Sequence, residues 1–379
     1  MFGLYIHFPF CIRKCHYCDF LSGPVLNEDL VRDYLGALEQ ELTIYHGRLR
    51  QEGITSLKTI YLGGGTPTLL AAQQLVRVLK KCRDLFCFSP GAEITIEANP
   101  GTVDAEKLFQ LEQSGVNRIS IGIQSFSDKL LAGMGRIHTA AEAIESVTAA
   151  KEAGLRNISI DLMYGLPGQT LADWGKTLTR ALALDIEHIS IYGLKVERGT
   201  AWGDLELQGR LSLPEEEAVL AMRELADQML GQGSFNRYEI SNYARGGLRS
   251  EHNCGYWSGR PYLGLGLGAS SDFWGRRFSN TRDMGHYLTL LGKGQLPVAE
   301  EEILSFRQRM GETMFLGLRI LGGLDLRSFE QKYGVRAEAV YAEEIAVLKS
   351  MGLITLDEGY VRLSARALPI ANHVFTFFV

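Results

Sequence analysis

Cys11, Cys15 and Cys18 lie within HFPFCIRKCHYCDF (7–20) and make up three of the chain's six cysteines, spaced C-x3-C-x2-C. Clustered thiolates bind soft metals. Three is an awkward number, because a disulfide takes two thiols and a structural zinc site usually takes four ligands. His7 or His16 could complete a zinc set, but that would leave the glycines and strand-end polar groups further along without a purpose. Arg13, Lys14 and His16 keep the loop polar, which argues against a buried structural trio. A cubane of four irons is ordinarily held by four thiolates, so three would leave one iron open to an outside ligand. Zinc and an incomplete iron–sulfur cage are thus the two readings of the cysteines, and the second explains more of the chain.

These cysteines follow the first apolar run, and the elements that must position them recur along the sequence. Short β-branched or aromatic runs at 4–8, 59–63, 93–98, 118–123, 157–165 and 188–194 alternate with segments of helical character. The spacing predicts helices over 27–49, with Asn27 as N-cap, over 68–82, and over 139–154, closing on Gly154. Alternation of this kind implies parallel strands with right-handed crossovers. Polar residues stand at nearly every strand end: His7, Gly63 to Thr66, Glu97 and Asn99, Gln124, Asp161. Open sheets concentrate chemistry at one switch point, whereas barrels gather it from many strand ends. The expected fold is therefore α/β, an incomplete (β/α)6-type TIM-like barrel. RYEISNYARGG (237–247) reads as one more strand with its loop. A smaller, mostly helical, winged-helix-like domain is expected at the C-terminus, dividing the chain into 1–295 and 296–379.

Among 379 residues, 46% are hydrophobic and 22% charged, with a net charge of -5. These totals are ordinary for a globular protein and carry no basic footprint for nucleic acid. The N-terminus lacks the basic and long apolar stretches of a secretory signal, and Cys82, Cys87 and Cys254 are scattered. Reduced thiols and a cytoplasmic location are expected. The apolar terminus NHVFTFFV (372–379) is expected to pack on the small domain, with a homodimer contact or a peripheral membrane contact as alternatives.

The cysteine spacing on the loop after the first strand resembles the hallmark of the radical S-adenosylmethionine (SAM) superfamily. That resemblance implies a 4Fe-4S cluster on Cys11, Cys15 and Cys18, whose open iron takes the amino and carboxylate groups of SAM. One electron, from a donor such as a flavodoxin or ferredoxin, then cleaves the sulfonium and releases a 5′-deoxyadenosyl radical. It also implies a SAM pocket. Gly64, Gly65 and Thr66 of GGGTP would face the amino group, and Glu97, Gln124 and Asp161 the ribose and ammonium. Arg136 would lie near the carboxylate, and Tyr5 and Tyr17 would flank the cluster and adenine.

YIHFPFC, GGGTPT, EITIEANPGT, GVNRISIGIQSF, IDLMYGLPGQT and RYEISNYA look like the oxygen-independent coproporphyrinogen III oxidase-like family over nearly the whole chain. The oxidase branch carries a further cysteine two residues past the third cluster ligand, where this chain has Phe20, and an N-terminal extension for which four residues before Tyr5 leave no room. HNCGYW (252–257) matches the H-N-x-x-Y-W motif that the haem chaperone branch associates with haem. That branch implies haem as cargo, a haem-accepting protein such as a respiratory enzyme, and no oxidase activity. His252, Asn253, Tyr256 and Trp257 become the candidate haem residues, since imidazole ligates haem iron and aromatic faces suit a porphyrin. Ser270 stands where that branch commonly has histidine; His7, His138 and His286 remain alternative ligands, and Arg260, Arg276 and Arg277 candidate propionate partners. The rival reading is a true radical enzyme, either the oxidase or a related methyltransferase.

Overall fold

The computed structural model describes residues 2–25 and 27–379. Six parallel strands form the centre of the main sheet: β1 (Gly3–Phe8), β2 (Ser56–Gly64), β3 (Cys87–Ala98), β4 (Arg118–Gln124), β5 (Ile158–Tyr164) and β6 (His188–Gly193). They are paired in chain order, as five successive right-handed crossovers require. The sheet curls without closing, so the incomplete barrel expected from the sequence is what forms.

Strand periodicity explains the division of labour. One alternate set is apolar: Leu4 and Ile6, Ile60 and Leu62, Ile94 and Ile96, Ile119 and Ile121, Ile158 and Ile160, Ile189 and Ile191 are all buried in the main core with the helices. Each such side chain contributes ~1.5–3 kcal/mol by leaving water. The other set is polar and faces the barrel interior, with Tyr61, Glu97, Arg118, Ser120, Asp161 and Ser190 lining one cavity. The barrel wall thus supplies stability outward and chemistry inward.

The helix expected over 27–49 runs over Glu28–Gln51, with the Asn27 side chain accepting from Leu30 N. Within 68–82, a 3-10 turn at Pro67–Leu69 and extended backbone at Leu70 and Ala71 precede the helix Ala72–Leu85. The Thr139 capping box opens Ala140–Glu152, and Gly154 follows at φ +90°. RYEISNYARGG contributes less strand than expected. Buried Glu239 turns the chain by accepting from Ser241 N and the Asn242 amide, and Asn242–Ala244 pairs antiparallel with β6.

Two features of the sheet were not anticipated. Tyr262–Leu265 lies parallel to β1 on its other side, and from it an antiparallel ribbon continues through Ser270–Phe273 and Arg276–Asn280 to Val298–Glu302. The sheet therefore runs past the division expected at 295. A second core, including Met310, Met314, Phe329, Leu348 and Val361, organises the C-terminal helices around a three-stranded sheet. Val374, Phe375 and Phe378 are buried in it, so these apolar residues of the terminus pack on the small unit. Among the described residues no helix is long and apolar enough to cross a membrane.

Candidate functional site

Cys11, Cys15 and Cys18 are free thiols on the loop after β1, half-buried, and all three line the interior cavity. The loop is pinned from two sides. His16 N donates to Met134 O at 2.9 Å, Trp202 N donates to His16 O at 2.9 Å, and the Arg13 guanidinium donates to Gly135 O at 2.6 Å. Gly135 is needed there, because at φ +75° a Cβ would sit 2.9 Å from the His16 ring. Tyr17 packs on Trp202 at 5.9 Å between ring centroids and lines the same cavity.

The cavity has a volume of about 340 Å3. Gly64 and Gly65 form one wall. A Cβ on Gly65 would lie 2.6 Å from Phe10 O and 2.8 Å from Phe8 O, and one on Gly64 would strike the His7 ring. Only glycine lets this turn press against the cysteine-bearing segment. Glu97 is locked beneath it: Oε1 accepts from Tyr61 OH at 2.8 Å and Oε2 from Gly64 N at 2.9 Å. Burial pushes its carboxyl up to about 7, with Asp161 adding to the rise. Asp161 is also raised by burial, opposed by hydrogen bonds from Ser190 and Ser120 and by the Arg118 and Arg136 charges. Arg136 donates to Asn99 Oδ1 at 2.7 Å and to Gly122 O, and faces Cys15 Sγ at 3.7 Å; among the described residues its buried Nε has no partner. Gln124 occupies the left-handed region at φ 67°, unusual for a non-glycine residue, and this turns it into the cavity.

Of the expected SAM residues, Tyr17, Gly64, Gly65, Glu97, Gln124, Arg136 and Asp161 line this cavity with the three cysteines. Thr66 and Tyr5 do not. Thr66 is buried, accepts from the Asn99 amide at 2.7 Å and contacts Cys11 Sγ at 3.6 Å, so it braces the loop. Tyr5 lies behind Tyr61, bonded to His7 Nδ1 at 3.0 Å, and lines a neighbouring cleft with Ser270. Arg118, Ser190, Tyr192, Lys195 and Glu197 also line the cavity and were not anticipated. Arg118 could have been found, since it has the same strand parity as Ser120, Gly122 and Gln124.

The donor chemistry fits an iron–sulfur cluster. Among the described residues no three His, Cys, Asp or Glu side chains converge on a single ion, whereas three thiols share one wall of a cavity large enough for a further ligand. Carboxylates, amide and guanidinium opposite the cysteines suit a zwitterionic, cationic small molecule.

HNCGYW behaves differently from a ligand-bearing loop. It forms the helix Glu251–Trp257, capped by Ser250, and its His252 ring packs near the N-terminal ends of β1 and β2, against Gly3 and Thr59. Glu93 accepts from Glu251 N at 2.8 Å and His252 N at 3.0 Å. The His252 ring is 3% exposed, with Nδ1 bonded to Thr59 Oγ1 and Nε2 to Tyr256 OH, both at 2.8 Å. It stacks on Tyr61 at 5.1 Å, and burial holds its pKa down to about 3. Neither ring nitrogen is free, so this conformation does not offer His252 to an iron. Asn253 enters the cluster cavity, while Tyr256 and Trp257 line a separate cleft. Of the alternative histidines, His138 is bonded to Ile123 O, and His7 to Tyr5 OH and Leu21 O.

Residues 5–181 match the radical SAM superfamily model, and residues 304–370 match the HemN C-terminal domain. The haem chaperone HemW of Bacillus subtilis (strain 168) is 39% identical over 386 residues, covering 100% of this chain and 99% of its own length. The chain belongs to the HemW family of radical SAM proteins. The HemW of Lactococcus lactis is 36% identical across 99% of this chain and 96% of its own. In fold, coproporphyrinogen III oxidase (HemN) from Escherichia coli superposes with a TM-score of 0.85 at 24% identity, over 100% of this chain and 89% of that one. A 4Fe-4S cluster and SAM are the cofactors of the superfamily to which HemW belongs, and the cysteine wall and its cavity answer to both.

Proposed function

We propose that this protein is a haem chaperone of the cytoplasm. It holds a 4Fe-4S cluster on Cys11, Cys15 and Cys18, takes SAM in the adjoining cavity, binds haem and passes it to an acceptor protein. The observation that carries this reading is similarity over the full chain to relatives described as haem chaperones. When bound, the cluster supplies one-electron chemistry, and an external reductant of the flavodoxin or ferredoxin class would feed it. The residues here hold and shield: Glu97 and Asp161 receive a cation, Arg136 a carboxylate, and Gly64 and Gly65 present backbone groups. Tyr17 walls the site on the Trp202 side. We place the join between the barrel unit and the C-terminal unit at 303–305, since Val298–Glu302 pairs with Arg276–Asn280.

The oxidase reading gains no support from this site. At the position of the oxidase's additional cysteine stands Phe20, 60% exposed at the cavity rim, which offers no thiol to the chemistry. Two assays on the anaerobically reconstituted chain separate the readings. Haem binding, followed by transfer to an apo-haem acceptor, is expected, together with no loss of carboxyl groups from coproporphyrinogen III. Decarboxylation of that substrate by the chain would overturn the proposal.

A further inference from the structure

Outside the cluster cavity, one cleft of about 410 Å3 is built jointly by the two units. That volume lies within the ~300–1,000 Å3 of small-molecule sites. One side comes from the HNCGYW helix and the ribbon after it, through Tyr256, Trp257, Tyr262 and Trp274; the other comes from the helices Phe306–Gly317 and Leu326–Tyr333. None of its residues lines the cluster cavity.

Its chemistry is specific. The aromatic rings supply flat apolar faces, and the Tyr256 and Tyr262 rings brace one another edge to face at 4.5 Å. Four cationic side chains, Arg260, Arg277, Arg309 and Lys332, face two acidic ones, Asp272 and Glu312. Arg277 is already paired with Glu312. Among the described residues Arg260, Arg309 and Lys332 have no carboxylate partner. The indole N–H groups of Trp257 and Trp274, in the cleft walls, are buried without an acceptor among the described residues. Flat apolar faces rimmed by unpaired cations are complementary to a planar, apolar molecule bearing carboxylates.

We infer that this cleft between the barrel floor and the C-terminal unit is the haem seat, gripping the porphyrin by its faces and its propionates. The assignment rests on the chaperone reading and gives its cargo a place. His252 is then a support behind Tyr256, holding the ring that forms the wall. Among the described residues no histidine, cysteine or methionine lines the cleft. Burial raises the pKa of Tyr256 and Tyr262, which disfavours the phenolate that ligates haem iron, and the Tyr333 hydroxyl is engaged with Arg309 O and Thr313 Oγ1. The grip therefore depends on the macrocycle more than on the metal. That suits a carrier, which must release what it holds.

The test uses the full, cluster-loaded chain and three probes: ferric haem, metal-free protoporphyrin IX, and the haem dimethyl ester. Ferric haem and free protoporphyrin are expected to bind within about tenfold of one another, and the ester at least about tenfold more weakly. Arg260→Glu with Arg309→Glu should weaken haem binding by at least about tenfold through charge. Leu316→Trp should do so by filling the cleft. Both variants should keep the SAM-dependent change in the cluster spectrum, which reports that the barrel is folded. If the wild type binds no haem, the chaperone reading falls and the seat with it. If the wild type binds haem while both variants bind it equally well, or if free protoporphyrin does not bind, the seat lies elsewhere and only this inference is overturned.

Discussion

Replacing His252 with alanine separates a ligand from a buttress. The ring nitrogens join Thr59 Oγ1 and Tyr256 OH, both at 2.8 Å, in a site where the histidine is 3% exposed. Deletion leaves two hydroxyls short of a partner, at ~1–3 kcal/mol each, and opens a cavity beside Tyr61. A loss of about 3–5 kcal/mol in urea unfolding is expected. The pH dependence adds a second signature. With its folded pKa depressed to about 3, the neutral ring contributes stability that is present above its unfolded value near 6.5. That contribution is lost as pH falls through that value toward 3. The alanine variant should therefore lose less stability than the wild type on acidification across this window. Haem titration below the unfolding midpoint should still give a bound Soret band in the folded population. Abolition of haem binding with urea stability unchanged would show that His252 ligates iron and would refute the buttress account.

Gly65→Ala places a methyl against the Phe10 and Phe8 carbonyls, which are backbone and cannot swing away. Overpacking of this kind costs ~1–3 kcal/mol; the chain should retain its iron and bind SAM at least about tenfold more weakly, read by the cluster spectrum. Glu97, raised to about 7, must ionise to receive a cation, so SAM affinity should increase as pH rises from about 5.5 to 7. Glu97→Gln should flatten that profile, and a flat profile in the wild type would remove Glu97 from the cation site.

Much of the barrel was legible because its signal is local. The alternation in RISIGI and NISIDLMYG fixes strand and facing at once, and the strand-end residues Glu97, Gln124 and Asp161 line one cavity. Three things were not legible, each because a distant partner decides it. Tyr262–Leu265 becomes a strand only by lying along β1. His252 looks like a loop ligand until Glu93, Thr59 and Tyr61 bury it in the floor. Glu41 looks like an ordinary helix carboxylate, yet it is fully buried and ties Gly266, Asn280 and Tyr287 together.

The most direct measurement is electron paramagnetic resonance of the anaerobically reconstituted, reduced protein with and without SAM. A 4Fe-4S signal that changes on SAM addition and disappears in Cys15→Ala is the expected result. Protein that takes up zinc without iron, or a cluster whose signal ignores SAM, would contradict the assignment of Cys11, Cys15 and Cys18 as a cage with one open corner.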